Sequence, residues 1–250
     1  MAICVFNRYN NTKAYNDGWL PLPGVSEDER VIREMLRTDY VMEVLTNQED
    51  ISSSIIDLKL KWKDQNIGRL HFHFSGHGII NQTIDAVKMD PNVNVFTSNT
   101  PFGHCLVGDD GDCHLTSVLD IKHHLNEFNS ESITITLDCC RDLDRPRQKV
   151  ELAKQPTIGP ESWYKMATFY ATCETIPSRD RFSLSQALYQ VHKKRNKCIP
   201  ILEMDKEVND YWKANMELQK RIAKGTVKKQ YCMRELVQEG DNWKCETWPV

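Results

Sequence analysis

The sequence predicts an α/β protein in which a mainly parallel six-stranded sheet carries helices on both faces. Short apolar runs alternate along the chain with longer stretches whose apolar residues recur at helical spacing. Such alternation favours parallel strands joined by crossover helices, and these helices cover both faces of the sheet. The predicted strands are residues 2–7, 41–45, 69–75, 133–139, 166–172 and 230–237.

Local signals mark the predicted helices that separate these strands. Ser26, with Glu29 three residues later, has the spacing of a capping box, which predicts a helix that starts at Ser26. The second helix is expected to end at Gly68, because glycine terminates helices readily. The helices predicted after the first are residues 52–65, 116–128, 184–195 and 201–219.

Two long segments of the sequence show no regular pattern. Residues 79–114 are rich in Asn, Asp, Pro, Gly and Thr, and residues 141–163 are rich in charged residues and Pro. Connections of this length in a compact domain usually have a function. We therefore expect both segments to be irregular connections that contribute to function.

Composition and charge exclude several classes of protein. The 250 residues have a formal net charge of -3, which gives no general attraction for nucleic acid. The chain has neither the features of a signal peptide nor a run of about 20 apolar residues for a membrane span. We therefore expect a cytoplasmic protein without a nucleic-acid or membrane partner, in which the nine cysteines stay reduced.

Candidate chemical groups follow the ends of the central predicted strands. His77, between two glycines, follows the strand at 69–75, and Cys140 follows the strand at 133–139. Functional sites of parallel sheets lie beyond the carboxyl ends of the strands. These two strands are predicted to be adjacent, and in that case His77 and Cys140 meet at one edge of the sheet. Each residue alone is better explained as a structural thiol or a turn residue, but the pair favours catalysis.

A cysteine facing a histidine is the arrangement that nucleophilic acyl transfer requires. The thiolate of Cys140 is the candidate nucleophile, and the imidazole of His77 is the candidate base that takes its proton and later donates one to the leaving amine. The main-chain amides of Gly78 and Cys140 are candidates for the oxyanion hole. Of the adjacent Cys139 and Cys140, strand alternation allows only one to face the site.

Two motifs in this sequence resemble those of the caspase-like cysteine peptidases. The segment His-Phe-His-Phe-Ser-Gly-His-Gly at 71–78 resembles their histidine motif, and Leu-Asp-Cys-Cys-Arg at 137–141 resembles their cysteine motif. The resemblance assigns Cys140 as nucleophile and His77 as base. It implies the caspase-like fold, a single peptidase domain over residues 1–250, and peptide hydrolysis through a thioester acyl-enzyme.

The residue two before the nucleophile indicates a branch of this superfamily. Asp138 stands where true caspases have Gln, which is similar to the paracaspases and metacaspases. The segments Leu-Pro-Gly-Val-Ser-Glu-Asp at 22–28 and Phe-Tyr-Ala-Thr-Cys at 169–173 also resemble segments of these branches. In paracaspase-like enzymes an acidic trio forms the S1 pocket. The resemblance therefore implies that Asp28, Asp138 and Asp180 form this pocket here, with Glu174 as the alternative third acid.

An acidic S1 pocket predicts a basic residue at P1, the substrate residue before the scissile bond. Carboxylates stabilise Arg or Lys by charge-assisted hydrogen bonds, which are bidentate with Arg. We therefore expect a protein or peptide substrate cleaved after Arg first and Lys second. An Asp-specific caspase and a catalytically silent interaction module are the alternative functions.

Metal binding and dimerisation are further hypotheses. The acidic turn at 109–112 makes calcium the alternative to our expectation of no cofactor. Zinc is disfavoured because the sequence lacks the Cys-x-x-Cys spacing of structural zinc sites. The last predicted strand, 230–237, lies where caspase relatives pair two sheets edge to edge, so a homodimer through this strand is predicted. The residues that would supply zinc ligands are His71, His73, His77, His104, Cys105, Cys113 and His114.

Overall fold

A computed structural model describes residues 1–80, 104–139, 166–173, 182–195, 199–225, 230–237 and 247–248. These residues contain a six-stranded sheet with five parallel strands, which confirms the predicted α/β class. In chain order the strands are β1 (Ala2–Phe6), β2 (Met42–Thr46), β3 (Ile67–Ser75), β4 (Gly78–Ile80), β5 (His104–Gly108), β6 (Gly111–Ser117), β7 (Ser130–Asp138), β8 (Met166–Cys173), β9 (Ile199–Pro200), β10 (Gln230–Val237) and β11 (Thr247–Trp248).

The order of strands in the main sheet is β10-β8-β7-β3-β1-β2, with β10 antiparallel to β8. The strands that precede His77 and Cys140 are therefore direct neighbours, as the sequence predicted. Their register pairs Ser75 of β3 with Asp138 of β7. The main-chain N–H of Gly76 also donates to the carbonyl of Asp138 at 3.2 Å, so the two strand ends are held side by side.

Helices lie on both faces of the sheet, as predicted. One face packs against α3 and α4, and the other packs against α2 and α5–α7. Among the described residues, no helix has the length and apolar character that crossing a bilayer requires. The helices are α1 (Thr12–Asn16), α2 (Val25–Leu36), α3 (Ile51–Lys61), α4 (Val118–Asn126), α5 (Leu184–Lys194), α6 (Met204–Ala214) and α7 (Met216–Ala223).

The start of α2 differs from the predicted capping box. The helix begins after Gly24, so Ser26 lies inside its first turn and caps nothing. The hydroxyl of Ser26 accepts a hydrogen bond from Arg8 Nε at 3.1 Å, and Glu29 forms ion pairs with Arg8 and Arg33. The prediction was wrong because the Arg8 guanidinium, which is distant in sequence, binds both side chains that the motif would use.

Two other helix boundaries also differ from the predictions. Helix α3 starts at the cap Asp50, whose carboxylate accepts from Ser53 N–H, and it ends at Lys61. Gly68 lies inside β3 instead of ending the helix. The helix predicted at 201–219 is divided into α6 and α7, because Asn215 interrupts it and caps the second half.

The segment predicted to be an irregular connection at 79–114 is partly a small sheet. Strands β4, β5 and β6 pair antiparallel in that order, and residues 81–103 lie outside the described ranges. These short strands were missed because they lie within a segment rich in Asn, Asp, Pro and Gly, which are depleted in most strands. The other predicted connection, 141–163, lies outside the described residues.

Alternate residues of the sheet divide the core in two. Ile3, Val5, Phe72 and Phe74 face the cluster with α3 and α4 and are fully buried. Burying a side chain such as Phe contributes about 1.5–3 kcal/mol, so each face stabilises the sheet substantially. The opposite face of β3 carries His71, His73 and Ser75 instead, so polar residues lie under the helices α2 and α5.

Candidate active site

His77 lies in the turn that leaves β3, and both sides of its main chain are anchored. Its N–H donates to the Tyr9 hydroxyl at 2.8 Å, and its carbonyl accepts from Val107 N–H at 3.1 Å. The Tyr9 hydroxyl in turn donates to the Val107 carbonyl at 2.7 Å. Only glycine fits at position 76, because a Cβ there would lie 2.6 Å from the Phe74 ring. These contacts fix the backbone of the predicted base.

The imidazole of His77 has a defined orientation. Its ring packs against the rings of Tyr9 and Trp19, with centroids 4.4 and 4.9 Å away. Its Nε2 lies 2.8 Å from the carbonyl oxygen of Leu20. Since a carbonyl can only accept, this bond assigns the hydrogen to Nε2 and leaves the Nδ1 of a neutral ring as a proton acceptor.

The two adjacent cysteines are placed differently. Cys139 is buried on the sheet face that packs against α3 and α4, and its Sγ lies 3.4 Å from His104 Nε2. Cys140 lies outside the described residues, so its predicted position beside His77 stays a prediction. The burial of Cys139 in the core favours Cys140 as the nucleophile.

Two of the three predicted S1 acids are brought together at the carboxyl edge of the sheet. Asp138 ends β7 and Asp28 lies in the first turn of α2, and their residues are only 6% and 7% exposed. Asp28 accepts from the hydroxyls of Ser75 at 2.8 Å and Ser183 at 2.6 Å. Asp138 accepts from the N–H and the hydroxyl of Ser185 at 2.8 and 2.6 Å.

The two carboxyl groups influence each other. Burial, together with the nearby charge of Asp138, raises the pKa of Asp28 to about 7. Burial also raises the pKa of Asp138, although hydrogen bonds from Ser185 oppose the shift. Two buried carboxylates in one place are unfavourable without a positive charge. The pair is therefore suited to a cationic group.

Two of the three serines that bind the acids, Ser183 and Ser185, come from the start of α5. Ser183 caps this helix by accepting from Gln186 N–H, and the N–H of Ser185 in the first turn donates to Asp138. A carboxylate at a helix N-terminus is stabilised by the helix dipole. The third predicted acid, Asp180, and its alternative, Glu174, lie outside the described residues.

A family model described as the caspase domain matches residues 7–236. The chain belongs to the caspase domain family. It is therefore a member of a family of cysteine peptidases, and the predicted resemblance is confirmed at that level. The comparison with curated proteins gave no match.

Several contacts of this caspase domain could not be found from sequence. Leu20 acts through its main-chain carbonyl, which leaves no mark in the sequence. Tyr9 and Trp19 contact His77 from a segment that carried no motif. Ser183 and Ser185 flank the first residue of a helix, and the N-cap preference for serine was the one available signal for Ser183.

The residues considered for metal binding in this caspase domain are spread over several environments. Asp109 accepts from Tyr9 N–H at 2.8 Å and from the amide of Asn11 at 3.0 Å. Asp110 lies 2.9 Å from His114 Nδ1. Asp109 and Asp110 of the acidic turn, where calcium was the alternative to no cofactor, therefore have protein partners. Where side chains are described, the one group of three potential ligands that meets is His123, His124 and Glu127 on α4 and at its end. This group was not predicted, and the absence of a cofactor stays a prediction.

Proposed function

We propose that this caspase domain is an endopeptidase that cleaves proteins after a basic P1 residue, with Arg preferred over Lys. The observation that supports the proposal is the buried pair of Asp28 and Asp138 at the edge of the sheet from which His77 extends. This pair also favours a relationship to the paracaspases and metacaspases. Asp180, or Glu174 in its place, remains the proposed third acid.

In the proposed mechanism, Cys140 attacks the carbonyl carbon of the P1 residue. The oriented ring of His77 takes the thiol proton on Nδ1 and then donates it to the leaving amine, while the C–N bond breaks and a thioester remains. The main-chain amides of Gly78 and Cys140 stabilise the oxyanion in each step. A water molecule activated by His77 then hydrolyses the thioester and restores the thiol.

The Leu20 carbonyl has a part in this mechanism. It accepts from Nε2 of His77 at 2.8 Å and so keeps the lone pair on Nδ1. When the ring becomes an imidazolium, the same carbonyl dipole stabilises the positive charge. The base is therefore oriented by the main chain, and no third side chain is required for that purpose.

The charge of the pocket distinguishes the basic-P1 hypothesis from the Asp-specific alternative. An Asp side chain at P1 would add a further buried acid beside two carboxyl groups that already disfavour each other's ionisation, which is strongly unfavourable. A guanidinium provides the missing positive charge, and its planar fork forms paired hydrogen bonds with carboxylate oxygens. A Lys ammonium provides the positive charge without the planar fork, so Lys is expected to be the second-preferred P1 residue.

Peptide reporters that differ only at P1 test this function. We expect cleavage of the Arg reporter, slower cleavage of the Lys reporter and none of the Asp reporter. Cys140→Ala should abolish cleavage, whereas Cys139→Ala should retain it, since Cys139 is buried on the other face. Efficient cleavage after Asp would contradict the pocket assignment. No labelling of Cys140 by a P1-Arg electrophile would favour the silent interaction module.

We also propose that two copies of the chain pair through β10. This strand ends the order of the main sheet, so within the described ranges one of its edges has no neighbouring strand, although the side chain of Asn209 binds the N–H and carbonyl of Cys232. Edge strands can pair with the equivalent strand of a second copy, and the resulting interface is isologous. The homodimer is therefore proposed to extend the sheet across β10.

A further inference from the structure

A row of hydrogen bonds leads away from the acid pair across β3 and β7. Asp138 Oδ2 lies 2.6 Å from Ser185 Oγ, which lies 3.3 Å from His73 Nε2. His73 Nδ1 lies 2.8 Å from Thr136 Oγ1, which lies 3.3 Å from His71 Nε2. We call these five residues the polar row. All five are buried.

The register of the sheet explains how the polar row forms. His73 pairs with Thr136, and two residues further along the same strands Ser75 pairs with Asp138. Alternate residues of a strand share one face, so the histidines of β3 and the Thr136 and Asp138 of β7 all lie beneath α2 and α5. Ser185, in the first turn of α5, then connects His73 to Asp138.

The chemistry of the groups gives the polar row one direction. A carboxylate accepts, so the hydroxyl proton of Ser185 goes to Asp138 and its oxygen accepts from His73 Nε2–H. The neutral ring of His73 then accepts the Thr136 hydroxyl proton on Nδ1. Thr136 in turn accepts from His71 Nε2–H. Burial lowers the pKa of His73 to about 3, so this ring is neutral near pH 7.

This arrangement fixes the Asp138 side chain. Two donors of Ser185, the N–H and the hydroxyl, bind the same oxygen Oδ2. The hydroxyl cannot rotate away without losing the bond from His73, whose ring is held by Thr136. A buried carboxylate with two fixed donors on one oxygen presents its plane in one orientation.

We propose that His73 and Ser185 are positioning residues of the S1 pocket and determine its preference for Arg over Lys. This inference rests on the proposed function, because it assigns Asp138 to the binding of P1. A guanidinium needs a carboxylate of fixed orientation to form paired hydrogen bonds, whereas an ammonium forms equivalent bonds over a wide range of angles. Loss of the orientation should therefore weaken recognition of Arg more than recognition of Lys.

The test compares kcat/KM on two reporters that are identical except for Arg or Lys at P1. Their ratio does not depend on the fraction of active enzyme, so partial misfolding cannot imitate the effect. For Ser185→Ala, which keeps the main-chain donor, we expect the Arg-to-Lys ratio to fall about tenfold, mainly through KM for the Arg reporter. His73→Phe should lower the ratio by about threefold to tenfold, and His73→Gln, which restores an N–H donor, should recover most of it.

Matched controls come from buried residues outside the polar row. Ser132 is a buried serine on β7, and His192 is a buried histidine on α5. Ser132→Ala and His192→Phe should leave the ratio unchanged. An equal fall in these controls would show a general loss of packing and would overturn the inference.

The possible outcomes separate the inference from the function. Wild-type cleavage after Arg with an unchanged ratio in Ser185→Ala and His73→Phe overturns the role of these residues and leaves the proposed function intact. A wild-type enzyme that cleaves after residues other than Arg and Lys overturns both proposals. If His73→Phe does not fold, Ser185→Ala decides the question, because it removes a single oxygen atom.

Discussion

Among single residues, Asp28 shows most directly how burial and charge act at this site. Its carboxyl group is hydrogen-bonded by two serine hydroxyls, yet burial and Asp138 raise its pKa to about 7. The hydrogen bonds therefore do not offset the loss of water and the neighbouring negative charge. A group of this kind makes the stability of the protein depend on pH near neutrality.

Stability should fall between pH 5 and pH 8 because of Asp28. The folded protein binds a proton at Asp28 up to about pH 7, whereas the unfolded chain loses it near the ordinary pKa. The favourable contribution is therefore present at low pH and is lost as the pH rises to the folded pKa. Asp28→Asn should reduce the fall in unfolding free energy by on the order of 2 kcal/mol, as measured by urea denaturation at the two pH values.

An exposed acid provides the control for that measurement. Asp57 lies on the exposed side of α3, so Asp57→Asn should keep the pH dependence of the wild type. An Asp28→Asn variant with the same pH dependence as the wild type would contradict the raised pKa.

At the scale of elements, the turn between β3 and β4 connects the main sheet to the small sheet. Tyr9, which follows β1, makes this connection with one hydroxyl that accepts from His77 N–H and donates to the Val107 carbonyl of β5. The position of the proposed base thus depends on three segments that are far apart in the sequence.

Removing the Tyr9 hydroxyl should displace the proposed base. Tyr9→Phe leaves the N–H of His77 and the carbonyl of Val107 without this partner in a buried place, which costs about 1–3 kcal/mol of stability. We expect kcat to fall about tenfold or more, with a smaller change in KM, because the S1 acids are untouched. Thermal unfolding and steady-state kinetics measure the two effects.

Tyr15→Phe is the matched control, since Tyr15 is 62% exposed. It should change neither stability nor kcat. A Tyr9→Phe enzyme with wild-type kcat would show that the hydroxyl does not orient His77.

For the whole molecule, the sequence predicted the arrangement of the main sheet correctly. It failed where a local motif was overridden by a contact from another segment of the chain. The adjacency of β3 and β7 was predicted because the carboxyl ends of parallel strands gather functional groups. The capping box failed because Arg8 binds Ser26 and Glu29 from another segment. The small sheet was missed because its short strands lie in a segment whose overall composition is typical of a loop. The Leu20 carbonyl was missed because a main-chain group has no side-chain signature.

For the candidate site, the sequence predicted the acidic residues but not the groups that bind them. Asp28 and Asp138 were assigned to one pocket by resemblance, and the structure brings them together beneath α5. The hydroxyls of Ser183 and Ser185 were not predicted, because a polar residue beside a helix start usually serves the helix alone. Strand alternation predicted that only one of the two adjacent cysteines faces the site. It did not predict that the buried one, Cys139, contacts His104.

Assembly of the whole molecule is testable through β10. We expect light scattering after gel filtration to show twice the mass of 29.1 kDa at micromolar concentration and above. The mass should decrease on dilution if pairing through β10 alone holds the copies together. A mass of one chain at every concentration would contradict pairing through this strand.

The order of strands also has a consequence for synthesis of the protein. The sheet order β2-β1-β3-β7-β8-β10 means that after β1 and β2 each later strand adds to the same growing edge as it leaves the ribosome. Asp28 and Asp138 emerge before Ser183 and Ser185, so a nascent chain carries the acid pair with the hydroxyl of Ser75 but without those of Ser183 and Ser185. The residues proposed to set the preference for Arg, Ser185 above all, are therefore synthesised after His77 and Cys140, the proposed catalytic pair, so the complete pocket forms only when α5 has joined the sheet.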